Sequence, residues 1–205
     1  MHEETACWSL SEAEICRRFA ANHHSLPPAE VAPLDRSRLR QAAVLIPLVC
    51  QNEHWHLLFT RRSETVQDHK GQVSFPGGGA EPEDKDLEMT ALREAYEEIG
   101  LPPEKVRVVG CLPEFITITN YVISPVVGIV EWPFELVLQR AEVGRVFTIP
   151  MDWLAHTENR EERPIVLSSG QTVMAVYYAS YDGELLWGAT ARMTVNLLKA
   201  LKLTE

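Results

Sequence analysis

Gly77–Leu101 reads GGGAEPEDKDLEMTALREAYEEIGL, and its pattern decides how the rest of the chain is read. Three glycines lead into an acidic turn, and the turn leads into a helix predicted from about Asp86 to Ile99. Gly100 stops that helix, with Pro102 and Pro103 behind it. Ala91, Leu92, Ala95 and Ile99 supply apolar cover around the helix. Glu94, Glu97 and Glu98 fall at i, i+3 and i+4 and so share one face. Like charges at this spacing cost about 0.2–0.5 kcal/mol per pair in an exposed helix. Two of them also lie near the helix C-terminus, where the dipole disfavours negative charge. The bland interpretation is a solvated acidic face. The sharper one is a site for a hard divalent cation, which takes carboxylate oxygens together with water and substrate phosphate. The glycine triplet favours the second, because glycine lets backbone approach a ligand closely. Arg93 can pin the glycine loop through a nearby carboxylate, with Asp84 and Glu83 as the two candidates.

Outward from this segment, elements alternate loosely. A short helix is predicted from Ser11 to Ala21, with Ser11 and Glu14 at capping-box spacing. Asn22 to Pro33 reads as loop, with His23 and His24 as loop residues. The run AAVLIPLVC after Gln41 is a buried-strand candidate, and Trp55 to Thr60 its partner. His54 and His56 on that partner are expected to face solvent or a partner. Lys105–Leu112, Tyr121–Val130, Arg145–Ile149, Ile165–Leu167, Thr172–Tyr178 and Glu184–Trp187 are strand material. Pro150–Ala155 starts a short helix, and Thr190–Leu201 closes the chain as an amphipathic one. This order favours a mixed sheet with helices on its faces. The 205 residues fit one domain, with residues 1–40 as an N-terminal helix-and-loop extension on a domain spanning 41–205.

Charge and composition narrow the function. The net charge is −10, which argues against nucleic acid and against an anionic membrane surface. Residues 81–98 hold eight acids and two bases, so −6 of the −10 sits in this one turn and helix. Cys7, Cys16, Cys50 and Cys111 form no CxxC pair and read as incidental thiols of a reducing cytosol. Neither a targeting segment nor a membrane-length apolar run is evident, so a cytoplasmic location is expected. Arg61, Arg62, His69 and Lys70 form the one cation-leaning stretch near the acidic helix, suited to substrate phosphates.

Arg93-Glu94-Ala95-Tyr96-Glu97-Glu98-Ile99-Gly100-Leu101 resembles the second half of the Nudix box. Leu57–Gly79, LLFTRRSETVQDHKGQVSFPGGG, resembles a second motif, that of the coenzyme A pyrophosphatase branch of the family. Leu58, Thr60, Arg62, Ser63, Gly71, Phe75, Pro76, Gly77 and Gly78 fall in register with it. There are departures: Lys85 stands where the box has Glu, Phe59 replaces a Leu, and Gln67 an Arg. Leu112-Pro113, Ser124–Gly128, Glu142-Val143 and Trp187–Thr190 extend the likeness over roughly residues 41–201.

The resemblance implies a Nudix-type α/β/α sandwich with a mixed β-sheet. It implies hydrolysis of the pyrophosphate of coenzyme A or a derivative, with Mg²⁺ or Mn²⁺ held by Glu94, Glu97 and Glu98. It places Arg93 with the catalytic groups and leaves the general base open between Glu97 or Glu98, taken first, and Glu142. Arg61, Arg62, Ser63, Gln67, His69, Lys70, Phe75, Gly77 and Gly78 are the expected substrate-binding residues, and a homodimer is the family-based expectation. Rival readings are a Nudix pyrophosphatase for ADP-ribose, NADH or another dinucleotide, a non-catalytic nucleotide-sensing module, and a ligand-free interaction domain.

Overall fold

The computed structural model describes residues 10–25, 29–30, 39–64, 70–117, 120–167 and 170–204. Its centre is two long apolar strands, β2 (Arg40–Gln51) and β8 (Tyr121–Val130), paired in parallel from Arg40↔Tyr121 to Val49↔Val130. Strands buried on both faces read as near-continuous apolar runs, as these two do. Around them lie β1 (Ala29–Glu30), β3 (His54–Arg62), β4 (Val73–Ser74), β5 (Gly77–Gly79), β6 (Val106–Cys111), β7 (Phe115–Ile116) and β9 (Val143–Pro150). The path is β1-β7-β8-β2-β3-β4, with β5 on β2, β6 on β8 and β9 on β3. The sheet mixes parallel and antiparallel pairs.

Side chains alternate across a strand, and that alternation builds the layers. On one face Ala43, Leu45, Val49, Leu58, Val126 and Val130 pack against Ala91, Ala95 and Ile99 of α2 (Leu87–Ile99). On the other, Ile46, Leu48, Leu57 and Phe59 meet α1 (Glu12–Asn22), α3 (Met151–Ala155) and α4 (Gly188–Ala200) through Ile15, Phe19, Leu154, Met193, Leu197 and Leu198. The result is the expected α/β/α sandwich with a mixed sheet. The N-terminal helix belongs to the same core: Phe19 is buried, and the Trp55 indole N–H donates to the Leu10 carbonyl at 2.7 Å.

Several local expectations are corrected. The glycine triplet is a strand, β5, pairing antiparallel with Ala42–Val44. Glycine has no strand propensity, but a Cβ on Gly77 would lie 2.4 Å from the Ala43 carbonyl, so only glycine permits this pairing. Arg160–Val166 forms β10 in full, not merely Ile165–Leu167, and pairs with β11 (Thr172–Tyr178) as a separate two-stranded ribbon. Its charged residues and Pro164 hid it from periodicity. Glu184–Trp187 is not a strand and makes two isolated bridges, Tyr177↔Trp187 and Tyr181↔Glu184. His23 begins a 3-10 turn and stacks on Phe19, so it is not a free loop residue. His56 is half-buried with an unpartnered Nδ1, and burial pulls its pKa below the usual imidazole value.

Candidate active site

Helix α2 is held at both ends by groups that its sequence supplies. Asp86 caps its start and accepts from the Met89 N–H at 2.8 Å. Gly100 ends it in the left-handed conformation, φ 71°, and donates to the Ala95 and Tyr96 carbonyls. Beyond that, the Val137 N–H bonds the Ile99 carbonyl at 3.1 Å, and the Gln139 N–H bonds the Glu98 carbonyl at 2.9 Å. The helix end is therefore satisfied by a loop, and the same loop delivers Glu142, whose carbonyl accepts from the Ser63 N–H at 2.7 Å.

Arg93 is the hub of the glycine turn. Its guanidinium grips the Asp84 carboxylate with two bonds of 3.0 Å, donates to the Gly79 carbonyl at 3.0 Å, and reaches Glu94 at 3.1 Å and Glu97 at 3.3 Å. Asp84, not Glu83, is thus the pin. Its side chain is 3% exposed and also accepts from the Glu81 N–H and the Thr90 hydroxyl. The bidentate Arg93 bond holds the Asp84 carboxyl well below the usual carboxylate range. Arg93 thus ties the glycine turn to the acidic face of the helix.

The three glutamates of the acidic face separate by burial. Glu98 is buried and accepts from the Gly77 N–H at 3.3 Å. Burial, then the Glu94 charge, push its pKa up to about 8. The Glu94 side chain is 16% exposed, and burial raises its pKa as well. Glu97, at 55%, lies outside them and is engaged by Arg93. Gly78 faces Glu94: a Cβ there would lie 2.6 Å from the carboxylate. Glu142 adds its negative field to both Glu94 and Glu98.

The basic stretch splits in two, because consecutive residues of β3 point to opposite faces. Arg62 turns toward Glu98 and lowers its pKa, while its own buried Nε lacks a hydrogen-bond partner. Arg61 turns the other way, to Glu64 at 2.5 Å and Glu184 at 3.5 Å. It therefore does not stand beside the carboxylates as expected. Lys70 is exposed and lines a cleft with Arg61. Ser63 is buried next to Arg62. Phe75 is also buried, stacked on Phe59 with centroids 4.8 Å apart, so it supports the loop from beneath and offers no ring to a ligand. Gln67 and His69 lie outside the described residues. Sequence reasoning missed Thr90 and the Gly77 N–H as partners of site carboxylates, since neither residue type signals such a role.

Among the described residues, no three carboxylate, imidazole or thiol groups already converge as a closed metal cage. The donor chemistry nonetheless fits Mg²⁺ or Mn²⁺. Two hard carboxylates, Glu94 and Glu98, sit together where burial and mutual repulsion disfavour their charge. Mg²⁺ commonly takes one or two carboxylates and completes its shell with water and phosphate.

A family model for the NUDIX domain matches residues 39–168. An uncharacterized Nudix hydrolase, NudL, of Photorhabdus laumondii is 36% identical over 193 residues, spanning 94% of this chain and 99% of that protein. NudL of Pectobacterium atrosepticum is 37% identical over 180 residues, 88% of this chain and 90% of its own. Among solved structures, a MutT/nudix family protein from Enterococcus faecalis gives a TM-score of 0.57 at 14% identity, over 94% of this chain and 75% of that one. A Nudix hydrolase from Alicyclobacillus acidocaldarius gives 0.51 at 20% identity, over 78% and 91%. These two structures support the fold, and the sequence matches support the family: the chain belongs to the Nudix hydrolases.

Proposed function

We propose that this Nudix hydrolase cleaves the pyrophosphate bond of coenzyme A or its derivatives, releasing 3′,5′-ADP and 4′-phosphopantetheine or its acyl form. The observation that carries the reading is the Leu58–Gly78 motif abutting the acidic helix, with its Arg62, Gly77 and Gly78 gathered at Glu94 and Glu98. Glu94 and Glu98 would hold the Mg²⁺ or Mn²⁺, with Glu97 at the outer edge of the set. When bound, the cation neutralises the diphosphate and lowers the pKa of a bound water.

The chain's own groups do the rest. Arg62, with a buried donor lacking a partner, offers a charged hydrogen bond to a phosphate oxygen. Gly78, without a Cβ, lets the Glu94 carboxylate lie directly against the glycine strand. Arg93 keeps Glu94 and the glycine turn in register. Glu142 lies within the field of both buried glutamates, and we assign it the proton of the attacking water. A homodimer in the cytoplasm is the accompanying family-based expectation, and sedimentation tests the dimer.

The test is product analysis after incubation with coenzyme A and Mg²⁺, beside ADP-ribose and NADH. The two half-molecules of coenzyme A are expected. Turnover of ADP-ribose or NADH with coenzyme A left intact overturns the proposal in favour of a dinucleotide pyrophosphatase.

A further inference from the structure

On the face of β3 opposite the carboxylates, a cleft of about 410 Å³ opens between the turn at Lys70–Gln72 and the loop Gly183–Trp187. That volume lies in the range of small-molecule sites, about 300–1,000 Å³. Its walls differ in chemistry. Leu185, 48% exposed, and Trp187, whose ring stacks on Tyr177 at 5.3 Å, form an apolar side. Arg61 and Lys70 form a cationic side. Arg61 is already balanced by Glu64 and Glu184, and Glu184 is shared with Arg145 at 2.9 Å. Lys70 has no ion-pair partner among the described residues and is the uncompensated charge of the cleft. Arg61, on the cleft wall, and Arg62, within the field of Glu98, are consecutive at the C-terminal end of β3.

An anion on an apolar body suits this combination. We propose that the cleft is a subsite for a phosphomonoester on the nucleotide end of the substrate, with Lys70 as its cation and the Leu185–Trp187 wall against the base. This reading rests on coenzyme A being the substrate. It supplies a reason for choosing it, since coenzyme A carries a 3′-phosphate on the ribose that ADP-ribose and NADH lack.

The test compares kcat/KM for coenzyme A and for dephospho-coenzyme A in the wild type, K70A and K70R. Lys70 is exposed, so both variants are expected to fold. The wild type prefers coenzyme A. The preference falls about tenfold in K70A, as for loss of one charged hydrogen bond, and returns in K70R. An unchanged ratio in K70A, with both substrates turned over, overturns the subsite alone. Turnover of neither substrate by the wild type overturns the parent reading and the subsite with it.

Discussion

Glu98 shows at the scale of one residue why a site of this kind costs stability. An ionised carboxylate under Gly77 is disfavoured by burial and by Glu94, and its pKa rises from 4.5 to about 8. The folded protein therefore binds a proton more tightly than the unfolded chain. Glu98's contribution to stability is full below pH 4.5 and is lost as pH rises through about 8. Metal-free E98Q is accordingly expected to melt several degrees above the wild type at pH 8, with the difference vanishing near pH 4. A kcal/mol corresponds to about 2–4 °C in a chain of this size. The same variant is expected to lose at least about a hundredfold in kcat with Mg²⁺. Scanning fluorimetry in chelator and steady-state turnover check the two halves, and a near wild-type kcat would remove Glu98 from the site. The spacing of Glu94, Glu97 and Glu98 was legible in the sequence, but their inequality was not. Helical periodicity places three residues on one face, whereas the glycine strand and the sheet decide which of them is covered.

At the scale of an element, α2 and its glycine turn behave as one unit because Arg93 and Asp84 join them. Two charge-assisted bonds of 3.0 Å at a nearly covered carboxylate contribute about 2 kcal/mol. The Asp84 pKa is depressed, so this stability is present above the unfolded value of 3.8 and is lost as pH falls through the folded one. D84N is expected to be less stable than the wild type at pH 7 by about that amount. The gap should hold at pH 7 and begin to narrow only below pH 3.8, as denaturant melts at pH 7 and in stronger acid would report. Equal stability at pH 7 would show that the turn is held by other groups. Replacing Gly78 is a separate matter. A Cβ 2.6 Å from Glu94 must displace the carboxylate, so G78A is expected to fold and to lose turnover by at least tenfold. The sequence narrowed the pin to Asp84 or Glu83, since both lie in the turn. Only the path of the turn, with Thr90 and the Glu81 N–H also aimed at Asp84, selects between them.

For the whole molecule, six of the ten net negative charges lie in one turn and in helix α2, which packs on one face of the sheet. A cation that binds only the folded state stabilises it by mass action. Mg²⁺ together with coenzyme A is therefore expected to raise the melting temperature more than either alone, and chelator to abolish the rise. No change with both present would favour a ligand-free interaction domain. No helix of the described residues is long and apolar enough to cross a membrane.

The elements whose side chains repeat with a clear period were readable in advance: α2 with its caps, α4, and the buried strands β2 and β8. The shared face of the three glutamates and the family likeness were readable too, because local spacing encodes them. Strand β5, the β10–β11 ribbon, the opposite headings of Arg61 and Arg62, and the bonding of the Glu142 loop to the end of α2 were not. Each depends on a contact between segments far apart in the chain: a glycine backbone against Ala43, a ribbon against α4, a loop capping α2. A single sequence states which residues are available at a helix face or a strand. Tertiary packing decides which of them lose their water, and so which carboxylates and cations are positioned to act.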